Sequence, residues 1–162
     1  MENQIYQFNS NVDYNVLLQE ANDTEGYNSY FDPISKSDIT TWKIKHITSG
    51  YGLKISRYWA DYLKSNSCKP RFYNLEKGAS LGFHKDRGTL CSINYVLSGN
   101  SGGVTFGDGI IVYECALLNT QELHNVPKQS ENRILFKVSI FDLSYEDVKN
   151  ILKTSNIEYV YP

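Results

Sequence analysis

The sequence has few cysteines and no long apolar run, and each of these absences excludes a class of protein. The three cysteines, Cys68, Cys91 and Cys115, lie far apart and form no C-x-x-C pair. An odd, scattered set argues against a disulfide framework or a structural zinc site and fits a reducing compartment, so we expect a cytoplasmic protein. No apolar run approaches the roughly 20 residues that span a bilayer. The N-terminus also lacks the basic and apolar regions of a signal peptide.

An excess of positive charge is also absent. Lys and Arg number 16 against 18 Asp and Glu, which gives a net charge of −2. Without a basic excess or a dense basic patch, a nucleic acid is not the expected partner. The apolar fraction of 41% and the charged fraction of 21% are typical of a globular chain. We therefore expect residues 1–162 to form a single domain.

The chain changes character twice, and its high aromatic content, with 13 Tyr, favours a β-rich fold. The N-terminal region mixes helical and strand patterns, the central region carries strand patterns, and the C-terminal region predicts one helix. These regions are residues 1–68, 69–142 and 143–162.

The N-terminal region contains two helical patterns with an alternating segment between them. Asn11 or Asp13 is positioned to cap a helix that runs to about Ala21. Ser56 is positioned to cap a second helix with apolar residues at helical spacing. Residues 42–47 alternate and predict a strand.

The central region consists of short apolar and aromatic runs separated by turns rich in Gly, Asn and Ser. Many short strands with such turns favour a sandwich or a small barrel. In the C-terminal region, Ser144 is positioned to cap a helix, with Glu146 and Asp147 in its first turn. The four central runs are residues 71–75, 90–97, 109–118 and 132–141.

Two of the three histidines lie where a metal site is plausible. His84 and Asp86 are two residues apart near the end of a predicted strand, where residues i and i+2 point to the same face. His124 follows 38 residues after Asp86 and could complete a set of two His and one carboxylate. Such a facial set leaves positions open on the ion, as in non-haem Fe(II) oxygenases. Zinc is the main metallic alternative, and solvated surface side chains are the non-metallic one.

Arg133 begins the last alternating run, and its place in the alternation indicates which face of the strand it occupies. Ile134, Phe136 and Val138 form the apolar face of this run, and Arg133 and Lys137 belong to the other face. If the apolar face packs on the helices, Arg133 points into the barrel, where a guanidinium needs a partner. A dicarboxylate could supply it through a bidentate contact. The alternative is that Arg133 reaches solvent at the strand end, and we expect Lys137 to be partly solvated.

These residues, in this order, resemble the His-x-Asp … His … Arg signature of the 2-oxoglutarate/Fe(II) dioxygenases. His124 is followed by Val126 and, nine residues on, by Arg133, which resembles the prolyl-hydroxylase-like branch. Residues 92–98 and the Gly-Gly stretch at 102–106 resemble the Tyr-bearing strand, turn and Gly-Gly segment of that branch. The resemblance covers less than half of the chain.

The resemblance implies a mostly β fold with flanking helices, namely a double-stranded β-helix, which is the cupin-like jelly roll. It implies that the two His and the Asp hold Fe(II) and that Arg133 binds the distal carboxylate of 2-oxoglutarate. Tyr95 matches a Tyr that hydrogen-bonds the same carboxylate. Tyr73, eleven residues before His84, lies near the position of a pocket Tyr. O2 is the implied co-reactant, and ascorbate is a candidate reductant.

The implied activity is hydroxylation of a peptidyl residue, a free amino acid or another small molecule, with release of succinate and CO2. Asp86 favours hydroxylation, because halogenating relatives replace this carboxylate with a small residue. A nucleic-acid demethylase is a weaker alternative, since residues 133–139 lack the Arg-x-Asn-x-Thr-x-Arg stretch of that branch. A non-catalytic cupin-like module that holds a small ligand is the alternative from another class.

Overall fold

A computed structural model describes residues 3–23, 25–32, 35–99, 103–107 and 109–155. Over these ranges the chain forms nine strands and three helices. The strands are β1 (Ile5–Gln7), β2 (Tyr27–Asp32), β3 (Ser37–His46), β4 (Cys68–Leu75), β5 (Leu81–His84), β6 (Cys91–Ser98), β7 (Cys115–Leu118), β8 (His124–Val126) and β9 (Arg133–Ile140). The helices are α1 (Tyr14–Asn22), α2 (Gly50–Leu63) and α3 (Tyr145–Thr154).

The strands form two antiparallel sheets. The large sheet has seven strands in the order β1-β7-β6-β9-β4-β3-β2, and the small sheet pairs β5 with β8. The predicted fold, a mostly β jelly roll with flanking helices, is confirmed. The N-terminal region does more than flank the barrel, because β1, β2 and β3 belong to the large sheet.

Strand β9 shows how the large sheet separates two environments. Phe136, Val138 and Ile140 are fully buried in a core shared with residues of all three helices. Each such side chain contributes about 1.5 to 3 kcal/mol through burial of apolar surface. Arg133 and Lys137 lie on the opposite face, as the alternation predicts. The helices therefore cover one face of the large sheet and leave the other for the small sheet and the space between the two.

Helix α2 begins earlier than predicted. Ser56, expected as its N-cap, is buried inside the helix, and the N-cap is Ser49, which makes no side-chain capping bond. The N–H groups of Tyr51 and Gly52 donate instead to the carboxylate of Glu20 in α1, the second at 2.9 Å. A carboxylate at the positive end of the helix satisfies donors that a local cap would otherwise serve. The prediction was wrong because the cap comes from another helix.

The other helix starts are confirmed. The Asp13 carboxylate caps α1 by accepting from the N–H groups of Asn15 and Val16. The Ser144 hydroxyl caps α3 by accepting from the N–H group of Asp147. The predicted end of the C-terminal region, from residue 156, lies outside the described residues. Residues 100–102 of the predicted turn after β6 lie outside them as well.

The run 109–118 is a strand over only its last four residues. Its first apolar residues are peripheral: Ile110 and Val112 are exposed, and Ile111 makes an isolated bridge with Val104. Strands β1 and β2 were not predicted, since β1 is three residues long and β2 is mostly polar. None of the described helices has the length and apolarity needed to cross a bilayer.

Candidate active site

Both sheets line one cavity of about 850 Å³, which lies within the size range of small-molecule sites. Five of the six residues predicted for the site line it, and Tyr95 does not. Lys137 is also part of the wall. The five are His84, Asp86, His124, Arg133 and Tyr73.

The small sheet assembles the metal-ligand candidates. His84 at the end of β5 and His124 at the start of β8 are paired directly across the sheet, and Asp86 follows two residues after β5. The Asp86 Oδ1 atom lies 3.4 Å from His84 Nε2 and 3.7 Å from His124 Nε2. Potential ligand atoms of all three lie within 4.8 Å of one another. The structure therefore brings together the three predicted ligands.

Backbone carbonyls orient both imidazoles. The Nδ1 atom of His84 lies 2.7 Å from the carbonyl oxygen of Gly82, and that of His124 lies 2.8 Å from the carbonyl oxygen of Glu122. A carbonyl only accepts, so each Nδ1 carries the proton and each Nε2 lone pair is left for an ion. Burial lowers the pKa of His124, which favours the neutral form that binds metals.

The spacing of these atoms fits a first-row ion. Donors at about 2.1 Å from a metal and at right angles to one another lie about 3 Å apart. The observed separations of 3.4 and 3.7 Å require only a small contraction. Two imidazole nitrogens and one carboxylate oxygen therefore match the facial set in chemistry, and two of their three separations approach its spacing.

Lys137 holds the second oxygen of Asp86. Its Nζ donates to Asp86 Oδ2 at 2.7 Å, and its side chain is only 15% exposed. Lys137 was expected to be partly solvated; it is instead largely buried and ion-paired. Burial acts against both charges, but the pair lowers the pKa of Asp86 and raises the pKa of Lys137 relative to their usual values. Asp86 is therefore ionised, with Oδ1 directed to the histidines.

The segment that carries Asp86 and the turn that precedes His124 are hydrogen-bonded to each other. The N–H of Asp86 donates to the carbonyl of Thr120 at 3.0 Å. The Gln121 side chain donates to the carbonyl of Asp86 at 2.9 Å and to that of Thr89 at 2.7 Å. The turn before His124 is thus fixed to the segment after His84, which preorganises the three ligands.

Arg133 is a buried cation with unused donors. It is 1% exposed, and its Nη1 donates to the carbonyl of Gly103 at 2.7 Å. Its Nε and Nη2 are buried and have no partner among the described residues, a rare state for polar atoms. The ring of Tyr113 lies 5.6 Å from the guanidinium. The remaining donors fit a carboxylate of a ligand in the same cavity as the candidate metal ligands.

Gly103 is required where it stands. Its φ is +57°, and a Cβ there would lie 2.5 Å from the carbonyl oxygen of Ile111. A side chain would displace the backbone that presents the Gly103 carbonyl to Arg133.

The prediction for Tyr95 is wrong. Tyr95 is fully buried on the helix side of β6, opposite Phe136 of β9, and its hydroxyl accepts from Trp59 Nε1 at 2.8 Å. Neighbouring residues of a strand face opposite ways, so Asn94 points into the cavity instead. Asn94 Nδ2 donates to the Tyr113 hydroxyl at 3.2 Å. Tyr113 lies beside Arg133, where Tyr95 was expected, and Asn94, which is paired with Lys137 of β9, contacts the Tyr113 hydroxyl.

Strand β4 supplies one predicted and one missed residue. Tyr73 lines the cavity, is 8% exposed, and has its ring centroid 5.7 Å from Lys137 Nζ. Arg71, two residues earlier and therefore on the same face, lines the same cavity. The sequence could have indicated Arg71 as a cavity residue, because it lies two residues before Tyr73 on a run already predicted as a strand.

No family model matches the sequence, and no curated protein matches it. Several solved structures are similar. A Pseudomonas putida prolyl-4-hydroxylase has a TM-score of 0.63 at 18% identity, over 86% of this chain and 93% of that chain. A Trichoplax adhaerens prolyl hydroxylase, in complex with a hypoxia inducible factor oxygen degradation domain peptide fragment, has a TM-score of 0.66 at 14% identity, over 95% and 88%.

A viral collagen prolyl hydroxylase from Paramecium Bursaria Chlorella virus-1 has a TM-score of 0.58 at 14% identity, over 87% of this chain and 97% of that chain. At such low identity these likenesses show a common fold. An activity has to be argued from the site itself.

Proposed function

We propose that this chain is an Fe(II)- and 2-oxoglutarate-dependent dioxygenase that hydroxylates a peptidyl residue, a free amino acid or another small molecule. One observation carries the proposal: the two-His, one-Asp set and a buried Arg with two unused donors open into the same cavity. Such a facial set suits Fe(II), and a guanidinium fork suits a carboxylate. The fold shared with prolyl hydroxylases supports the same conclusion.

His84, Asp86 and His124 would hold the metal. When bound, Fe(II) with 2-oxoglutarate and O2 supplies the oxidant that converts a C–H bond to C–OH, with succinate and CO2 as co-products. Zinc could use the same three ligands. A zinc site, however, gives no reason for an unpaired guanidinium such as that of Arg133 in the same cavity.

The other residues of the chain position and shield the reactants. Arg133 would hold the distal carboxylate of 2-oxoglutarate, with the ring of Tyr113 beside it and Asn94 bonded to the Tyr113 hydroxyl. Lys137 keeps Asp86 Oδ2 occupied, so that only Oδ1 is offered to the ion. Leu135 adds apolar wall between the two charged ends of the cavity, which helps to exclude water from the reacting centre.

The test is turnover with defined components. The protein is incubated with Fe(II), 2-oxoglutarate, ascorbate and air together with panels of peptides and amino acids. Mass spectrometry measures succinate and the gain of one oxygen in the panel. We expect both products from the parent, and neither from His124→Ala or from the parent without O2.

A parent that binds Fe(II) and 2-oxoglutarate but forms no succinate with any panel would be a non-catalytic cupin-like binding module. Retention of full activity by His124→Ala would refute the assigned metal centre. Circular dichroism of the variant shows whether it is folded, so loss of activity is separated from loss of structure.

A further inference from the structure

We propose that the substrate carries a carboxylate that binds Arg71, which makes a free amino acid or a similar small carboxylic acid the substrate class. This inference rests on the proposed function and narrows it. Its basis is Arg71, which, like Arg133, lines the cavity and has a buried donor without a partner in the described part of the chain.

Arg71 lies one strand away from the reacting centre. The register pairs Arg71 of β4 directly with Lys137 of β9, and residues paired in this way project from the same face of a sheet. Lys137 contacts Asp86, a candidate metal ligand, at 2.7 Å. Arg71 thus lines the cavity on the strand next to Lys137, at the end of the cavity where the candidate metal ligands lie.

Arg71 has unused hydrogen-bonding capacity. Its Nε is buried and has no partner in the described part of the chain. The described ion pairs do not include it. The side chains paired with Arg71 across the sheet bring no negative charge: Lys137 on one side is basic, and His46 on the other side is a neutral imidazole, because burial lowers its pKa. An anion bound here would relieve like-charge repulsion and would accept from the unused donor.

The position of Arg71 separates its ligand from the cosubstrate. Arg133 is paired with Leu75 of β4, four residues beyond Arg71, which is a distance of about 13 Å along a strand. The two guanidiniums therefore serve opposite ends of the cavity. A dicarboxylate that joins Arg133 to the metal leaves Arg71 free for a second anion.

The charge of the whole cavity points the same way. Five basic side chains line it against two carboxylates, and Lys137 already pairs with Asp86. The charges of Fe(II) and of 2-oxoglutarate cancel, so a positive excess remains for the substrate. The basic residues are Arg71, Lys85, Arg87, Arg133 and Lys137, and the acidic ones are Asp32 and Asp86.

A free α-carboxylate satisfies this site, whereas an internal peptide residue does not. In a peptide the α-carboxyl group is a neutral amide, which cannot form a charge-assisted pair with Arg71. A cavity of about 850 Å³ has room for 2-oxoglutarate and a molecule of amino-acid size. Acid and amide forms of the same compound therefore form the discriminating pair.

The experiment uses protein loaded with Fe(II) and 2-oxoglutarate, the standard L-amino acids, and the corresponding amino-acid amides. Ligand-observed NMR without O2 measures binding, and mass spectrometry in air measures the gain of one oxygen. We expect at least one acid to bind and to be oxidised, with its amide about 10- to 100-fold weaker, the loss expected for one charge-assisted bond.

Arg71→Gln should reduce affinity for the acid to the level of the amide, with 2-oxoglutarate affinity unchanged, and Arg71→Lys should restore part of the preference. Lys69→Gln is the matched control, because it removes one charge from the same strand outside the cavity lining. We expect it to keep the preference of the parent. Thermal melting of all variants confirms folding.

Equal binding of acids and amides, or an unchanged preference in Arg71→Gln, would overturn the inference. So would a parent that binds 2-oxoglutarate but none of the acids, a result that leaves the proposed function standing. Failure of the Fe(II)-loaded parent to bind 2-oxoglutarate would refute the proposed function itself.

Discussion

Replacing Arg133 with methionine should stabilise the ligand-free protein. The wild-type guanidinium is 1% exposed, has two buried donors without a described partner, and makes one bond, to Gly103. Removing an uncompensated buried charge gains stability, and the lost bond offsets about 1 kcal/mol of that gain. We expect a net increase of about 1 to 2 kcal/mol in the free energy of unfolding, or roughly 2 to 8 °C in Tm.

With cosubstrate present the order should reverse. A ligand at 100 times its Kd stabilises the folded state by about 2.7 kcal/mol, which corresponds to roughly 5 to 10 °C for a chain of this size. Arg133→Met loses the bidentate partner of 2-oxoglutarate and should show almost none of this shift. Thermal melting with Mn(II) as the metal, with and without 2-oxoglutarate, measures both effects in one series.

Arg57→Met provides the control, because it makes the same chemical change on an exposed position of α2. It should keep the shift caused by 2-oxoglutarate and should not gain the stability of the buried variant. If Arg133→Met melted below the parent and still responded to 2-oxoglutarate, Arg133 would be a structural residue and the reasoning would fail.

Three further substitutions test single contacts. Lys137→Met should lower the unfolding free energy by about 1 to 3 kcal/mol at pH 7. Because the pair lowers the folded pKa of Asp86, this loss should be complete above about pH 4 and shrink below it. Urea denaturation at pH 7 and at about pH 2 checks it, and an equal loss at both pH values would contradict it. Asp86→Asn should weaken Mn(II) binding at least about tenfold, and its circular dichroism should be unchanged. Calorimetry measures the affinity for Mn(II), and an unchanged affinity would remove Asp86 from the ligand set. Tyr95→Phe should cost about 1 kcal/mol through the lost bond from Trp59 and leave 2-oxoglutarate affinity unaltered, whereas a weakened affinity would return Tyr95 to the cavity.

The placement of Arg133 could be predicted because β9 has one wholly apolar face. Ile134, Phe136, Val138 and Ile140 leave a single orientation in which the strand packs on the helices. Once that orientation is set, Arg133 must face the other way.

Strand β6 has no such contrast between an apolar and a polar face, and the wrong prediction for Tyr95 follows from this. Its residues 91–96 are buried whichever face they occupy, so hydrophobicity alone does not assign Tyr95 to a side. The register with β9 does assign it, since Tyr95 is opposite Phe136 and Asn94 is opposite Lys137. That register is a property of the folded sheet.

Two contacts that were not predicted join residues distant in sequence. Lys137 and Asp86 are 51 residues apart, and Glu20 reaches a helix start more than 30 residues later. Local patterns report propensity, alternation and caps supplied by neighbouring residues. They carry no information on which distant side chain will satisfy a buried charge.

The N-terminal strands cover both edges of the four central strands of the large sheet. β1 pairs with the outer side of β7, and β3 pairs with the outer side of β4. A chain trimmed to residues 69–142 would expose the free N–H and C=O groups of both β4 and β7. Uncovered edges of this kind are templates for strand addition from other molecules. The smallest fragment that we expect to resist such strand addition therefore begins before β1, well upstream of the first residue of the cavity.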